Sequence, residues 1–218
     1  METAVFAKLP IGNLVLASAS KVRAKMLTDS GLAFSQYPVN IDEESIRASG
    51  LASDMPPSEI AVILAEMKAA TVSQHFIANQ ATSEHYILGC DQILFCDNRI
   101  YNKPKDLASA KSQLLSLSGK THQLFTAAVL FRHGSRIWHH LSSADMTMRP
   151  FEKDFIDAYL QKLGNTALTS PASYHIEGLG AHLFSKIKGC HYGILGLPLL
   201  EVLSILREHG LSSNGDCL

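Results

Sequence analysis

The chain has 218 residues, 46% of them hydrophobic and 18% charged, which excludes a disordered tail, a collagenous repeat and a short disulfide-stapled peptide. At the usual ~100–200 residues per domain it makes one large or two small domains, and a single α/β unit with two lobes suits that length. Lys and Arg number 19 against 20 Asp and Glu, so no global field draws the protein onto nucleic acid or acidic lipid, and an anionic ligand has to be held by local groups.

Met1–Pro10 carries an acid at Glu2 and no apolar core of signal-peptide length. Leu14–Ala17 reads as a short apolar strand running into Ser18-Ala19-Ser20, hydroxyl residues suited to cap a helix that continues through Met26-Leu27 to Gly31. After Pro56-Pro57 a helix starts near Ser58, its apolar positions Ile60, Ile63, Leu64 and Met67 following the i, i+3, i+4, i+7 rule. Tyr86–Cys90 reads as a buried strand. The apolar run resumes after Asp91-Gln92 as Ile93–Cys96, turns at Asp97-Asn98 and returns through Arg99–Tyr101. Leu107–Leu117 reads as a helix closed by Gly119, and 123–131 and 136–148 as antiparallel strands separated by His133-Gly134-Ser135. Phe151–Leu163 is an amphipathic helix ending at Gly164, Ala181–Ile187 a strand, and Leu197–His209 a helix with Pro198 in its first turn. Helices alternating with strands in a mixed sheet give an α/β or α+β class with two lobes.

The longest apolar tract, Gly193–Leu206, is interrupted by Pro198 and Glu201 and falls short of the ~18 uninterrupted apolar residues a membrane span needs. Cys90, Cys96, Cys190 and Cys217 form no C-x-x-C pair and no metal-ligand spacing, which suits free thiols in a reducing compartment. The expectation is a cytoplasmic protein with neither membrane nor nucleic acid as partner. A homodimer is left open.

Three stretches can carry chemistry. At Ser18–Arg23 a strand delivers two hydroxyls to a helix N-terminus, and the unpaired N–H groups, the positive helix end and Arg23 make a phosphate cradle. The glycine spacing of a Walker loop is absent, and the same residues also describe an ordinary capped helix with a solvated arginine. Asp91, at the end of a buried strand, sits where open α/β sheets bind ligands and could hold a metal or take a proton. Lys103, fixed by Pro104, could bring a positive charge to the same edge; alternatively Asp91 caps a turn and Lys103 faces water. In Tyr174–Ala181 two glycines flank Leu179, letting backbone approach a ligand beside Glu177, or simply making a turn.

A resemblance links these stretches. Leu16-Ala-Ser-Ala-Ser-Lys-Val-Arg23, Val39-Asn-Ile-Asp-Glu43, Leu64-Ala-Glu-Met-Lys-Ala69, Gly89-Cys-Asp91, Lys103-Pro104, Leu117-Ser-Gly119 with His122, and Gly196-Leu-Pro198 occur in the order seen in the Maf family of nucleotide pyrophosphatases. The likeness covers about Leu14 to Gly210. It implies one Maf-like domain spanning 1–218 with its core at about 14–210, and a two-lobed α/β fold (Maf or ITPase-like), a mixed sheet flanked by helices with a central cleft. It also implies hydrolysis of nucleoside triphosphates to monophosphate and pyrophosphate with a divalent metal, Mg²⁺ or Mn²⁺.

Carried over by residue, the resemblance makes Asp91 the catalytic acid, assisted by Lys68 and Lys103. It puts Ser18, Ser20 and Arg23 on phosphate and Glu43 with Asp91 on metal. Read alone, Lys68 is a lysine snorkelling beside an apolar stripe, and Glu43, in the run Asp42-Glu43-Glu44, is a solvated loop acid. The chain departs from the family's Ser-Pro-Arg-Arg motif by holding Val22 where the first arginine stands. In the branch acting on dTTP and UTP, substrate choice goes with that arginine, with a Thr after the catalytic Asp and with a Gln in the glycine-rich C-terminal motif. Here those places hold Val22, Gln92 and Glu177. Gln92 and Glu177 resemble the branch acting on 7-methyl-GTP, although that branch carries a large aromatic where this chain has Val22, and a carboxylate suits the N1–H and N2 edge of guanine or a methylated, cationic purine. The alternatives are a dTTP/UTP pyrophosphatase and a non-enzymatic nucleotide-binding regulator of cell division.

Overall fold

The computed structural model describes residues 13–78 and 85–211. The readings made for Met1–Pro10 and Cys217 lie outside these. Among the described residues one seven-stranded mixed sheet has the order β2-β1-β3-β5-β6-β7, with β4 paired to β3. Its strands are β1 (Leu14–Ala17), β2 (Ser35–Gln36), β3 (Tyr86–Cys96), β4 (Arg99–Tyr101), β5 (Thr121–Arg132), β6 (Ser135–Met148) and β7 (Phe184–Gly189). β1 is parallel to both β2 and β3, and the rest of the ladder is antiparallel. The helices are α1 (Lys21–Asp29), α2 (Glu43–Ala52), α3 (Pro57–Ala78), α4 (Leu107–Leu117), α5 (Lys153–Leu163), the short α6 (His191–Ile194) and α7 (Leu199–Glu208), with three 3-10 segments between α5 and β7.

Period-two alternation along β3 decides which side of the sheet each functional group meets. Leu88 and Cys90 pack with Leu14, Leu16, α1 and α7 on one face. Ile87 and Ile93 pack with Val15, Ala17 and α3 on the other. Asp91 therefore faces α3, and its neighbour Gln92 faces α6. Farther along the same strands, Leu94, Cys96, Leu124, Ala144 and Met146 join α4 and α5 in a third cluster. The two lobes are thus two ends of one set of long strands, β3, β5 and β6.

Several elements differ from the sequence reading. β3 runs unbroken through Asp91-Gln92, because the carboxylate is neutralised where it is buried. The acidic run is the start of a helix: the Asp42 side chain accepts from the Ser45 N–H at 3.0 Å, and Glu43 is the first residue of α2. Ala181–Leu183 lies in a 3-10 turn, with the Ala181 N–H bonded back to the Gly178 carbonyl, and β7 begins only at Phe184. Among the described residues α3 alone is long and apolar enough to cross a membrane by length and composition. Its Ile60, Leu64, Ala65, Ala69 and Val72 are fully buried in the cluster formed with β1, β3 and β5. Cys90, Cys96 and Cys190 are free thiols, and burial pushes the Cys90 thiol up to about 11, so this cysteine serves as core packing.

Candidate active site

A cleft of about 1780 Å³ opens between the two lobes, over the middle of β3. Ser18, Ser20, Val22, Arg23, Glu43, Lys68, Asp91, Gln92, Lys103 and Glu177 all line it. Residues spread over some 160 positions of sequence, by the distance from Ser18 to Glu177, thus share one hollow.

At its floor lies Asp91, 3% exposed. Its position is set by β3, and its partner is set by how closely α3 can approach that strand. A Cβ on Gly89 would overlap the Ala65 carbonyl oxygen and lie 2.9 Å from the Ala69 Cβ. Only a glycine lets the helix come this near. That approach carries Lys68, one residue before Ala69, onto the acid: Lys68 Nζ is 2.6 Å from Asp91 Oδ1 and 2.6 Å from Glu43 Oε1. Lys68 is itself buried, and a buried ammonium needs such carboxylate partners. Burial alone would raise the Glu43 carboxyl, but the Lys68 ammonium and the Arg47 guanidinium outweigh it and hold Glu43 below its ordinary value.

Sequence reasoning missed Arg47. Its Nη2 is 2.7 Å from Glu43 Oε2 and 3.4 Å from Asp91 Oδ2, and its Nη1 donates to Asn102 Oδ1 at 3.1 Å. The signal was present as a Glu43/Arg47 pair four residues apart, which face each other only if the segment is helical.

Above the acid, Ser20 caps α1 by accepting from the Arg23 N–H at 3.3 Å, and the Ser18 hydroxyl accepts from the Ser20 N–H and from Arg23 Nη1. Arg23 is buried. Its Nη1 also donates to the Cys90 carbonyl at 2.8 Å and its Nε to the Gly196 carbonyl at 2.7 Å. Gly196 has φ +100°, a conformation that side-chain-bearing residues rarely adopt, and it aims that carbonyl at α1. The first turn of α1 is thereby locked to β3 and to the segment before α7, with its N-terminus on the cleft. Val22 is half-buried there and packs beside the α1–α7 cluster.

On the other face of β3, the Gln92 amide donates to Thr126 Oγ1 at 2.8 Å and to the Gly193 and Ile194 carbonyls at 3.0 and 3.1 Å, tying the strand to α6. Lys103 is exposed on the cleft wall, with no ion pair among the described residues. Glu177 is exposed on the opposite lobe, in a loop anchored by Ala172 N–H to Gln113 Oε1 at 3.0 Å and by His122 Nε2 to the Tyr174 hydroxyl at 2.8 Å.

Glu43 and Asp91 are the carboxylates available to a metal. Among the described residues no group of three or more His, Cys, Asp or Glu side chains is placed to hold one. Mg²⁺ is usually bound through one or two carboxylates and substrate phosphates, keeping several waters, and two carboxylates converging on one ammonium fit that habit.

Fold and cleft together define a mixed α/β protein with an acid–lysine pair beneath a capped helix N-terminus, a combination suited to a polyanionic ligand. The model for Maf-like proteins matches residues 13–209, and the chain belongs to the Maf family. It is 43% identical over 196 residues to the nucleoside triphosphate pyrophosphatase of Paramagnetospirillum magneticum, covering 90% of this chain and 98% of that one. It is 43% identical over 197 residues to the 7-methyl-GTP pyrophosphatase of Rhizobium meliloti, covering 90% and 96%. To the nucleoside triphosphate pyrophosphatase of Nitrobacter hamburgensis it is 44% identical over 201 residues, covering 92% and 95%.

Proposed function

We propose that the protein is a nucleoside triphosphate pyrophosphatase that splits its substrate into monophosphate and pyrophosphate with a divalent cation, Mg²⁺ or Mn²⁺, and acts on modified nucleotides, 7-methyl-GTP among them. The observation that carries the reading is the Asp91–Lys68–Glu43 contact at the floor of a cleft whose wall is the N-terminus of α1. The names of the relatives supply the reaction class.

In this reading the triphosphate lies along the cleft with its inner phosphorus over Asp91. Water attacks that phosphorus, an oxygen–phosphorus bond forms, the bridge to the β-phosphate breaks, and pyrophosphate leaves with the electron pair. Asp91 orients the attacking water and accepts its proton. Lys68 holds Asp91 in place, and its ammonium together with Arg23, Lys103 and the α1 N–H groups offsets the negative charge on the leaving group. Glu43 and Asp91 would hold the cation, which when bound neutralises phosphate oxygens. On the far lobe Glu177 faces the base, and its carboxylate suits a guanine edge or a cationic methylated purine better than a pyrimidine.

The test incubates purified protein with Mg²⁺ or Mn²⁺ and a nucleotide panel and measures pyrophosphate. The expected result is pyrophosphate release that Asp91→Asn reduces by at least about 10²-fold, the usual contribution of a positioned acid–base group. Orthophosphate alone, or equal rates for wild type and Asp91→Asn, would refute the proposal.

A further inference from the structure

Glu43, Arg47, Lys68 and Asp91 close a ring of four charges. Lys68 takes one oxygen from each carboxylate and Arg47 Nη2 takes the other, Glu43 Oε2 at 2.7 Å and Asp91 Oδ2 at 3.4 Å. Two anions are matched by two cations, so both carboxylates are already spoken for.

The two cations are held unequally. Lys68 is wedged between α3 and β3, its side chain 9% exposed, with two contacts of 2.6 Å. Arg47 projects from α2 at the cleft and is 16% exposed, and its contact with Asp91 is long for a hydrogen bond. Its Nε is buried without a hydrogen-bond partner. An unpaired buried donor is unfavourable, which offsets part of what the guanidinium loses at Glu43 by turning away, and Asn102 Oδ1 already holds its Nη1 on the cleft side.

We infer that Arg47 is a built-in competitor for the divalent cation: its guanidinium occupies the carboxylate oxygens that Glu43 and Asp91 would jointly offer, and loading the metal expels it toward Asn102 and the open cleft. The inference rests on the reading of Glu43 and Asp91 as the metal carboxylates. It fixes the sign of a substitution. If Arg47 merely positioned Glu43, removing it would weaken cation binding. As a competitor, its removal frees two oxygens and strengthens binding, by about tenfold for the loss of one charge-assisted contact.

The experiment titrates Mn²⁺ alone into the full-length, nucleotide-free protein and follows the electron paramagnetic resonance signal of free Mn²⁺. Arg47→Met, which keeps the apolar stem, is expected to lower the apparent Kd about tenfold. Arg47→Lys, which keeps the charge on a shorter stem without the guanidinium's fork of donors, should fall between it and wild type. Asp91→Asn and Glu43→Gln should abolish binding in the same concentration range. Circular dichroism melts without metal establish that each variant is folded. Unchanged or weaker affinity in Arg47→Met overturns the inference. So does Mn²⁺ binding that survives both Asp91→Asn and Glu43→Gln, or a folded Arg47→Met that binds no Mn²⁺ up to millimolar levels. No turnover is involved, so failure here is separable from failure of the pyrophosphatase reading, which shows as absence of pyrophosphate from wild type.

Discussion

Replacing Gly89 by alanine adds one carbon and two hydrogens to the chain and should cost both stability and rate. The new Cβ would overlap the Ala65 carbonyl oxygen and stand 2.9 Å from the Ala69 Cβ, where carbon atoms normally settle at about 3.5–4.0 Å. Neither neighbour is a flexible side-chain end, so α3 has to retreat by roughly 1 Å, at an overpacking cost of about 2–3 kcal/mol. For a protein of this size each kcal/mol lowers Tm by about 2–4 °C, giving a drop of roughly 5–10 °C. The retreat pulls Lys68 off Asp91, ending the 2.6 Å contact, and a misplacement of about 1 Å near reacting groups can cost on the order of 10² in kcat. Thermal melts by circular dichroism give the first quantity and pyrophosphate release at a temperature where the variant is folded gives the second. A variant with wild-type Tm and wild-type kcat would show that the close approach of α3 to β3 does not position the acid–lysine pair.

Glu177→Gln is expected to move the ratio of kcat/KM for purine against pyrimidine triphosphates by about tenfold toward pyrimidines, the worth of about 1.4 kcal/mol from losing the charge on one exposed hydrogen-bonding group; an unchanged ratio would remove Glu177 from base recognition. His122 is fully buried against Tyr174, and burial lowers its pKa from 6.5 to about 4. The unfolded chain therefore takes up a proton at pH values where the folded one does not, so the stabilising contribution is complete above 6.5 and is lost as pH falls toward 4, to the extent of about 3 kcal/mol. Urea unfolding from pH 4.5 to 7.5 should show a shallower slope in His122→Phe, even though that variant also loses the Tyr174 hydrogen bond; parallel slopes would assign the acid sensitivity elsewhere.

Much of the scaffold could be read from local pattern because local pattern dictated it. Ser20 caps α1 and α4 spans Leu107–Leu117 as read. α3 forms where its apolar spacing puts a helix, but the face that meets the sheet is Ile60, Ala61, Leu64, Ala65, Ala69 and Val72, with Ile63 half-buried and Met67 exposed, because the small alanines allow the closer approach. Elements set by long-range contacts were not legible. α2 buries only Gly50 outright, so it has no apolar stripe to announce it, and β2 is two exposed residues that pair with β1. A carboxylate in the middle of β3 looks like a strand end until Lys68, 23 positions earlier, is known to neutralise it. The same reason hid Arg47: its partners Asp91 and Asn102 lie 44 and 55 positions away. Motif resemblance located Glu43 and Lys68 where chemistry alone read a loop acid and a snorkelling lysine.

The continuity of β3, β5 and β6 through both lobes bears on how the cleft exchanges its contents. Its two walls are joined by a ladder paired from Ile87 to Phe95 on one side of β5 and from Thr121 to Arg132 on the other. Swinging the walls apart like a clamshell would have to bend all three hydrogen-bonded strands together across their length. Gape is therefore limited to flexing of a shared floor, and traffic of nucleotide and pyrophosphate falls to the rim: the α1 turn, the Lys103 loop and the Glu177 loop.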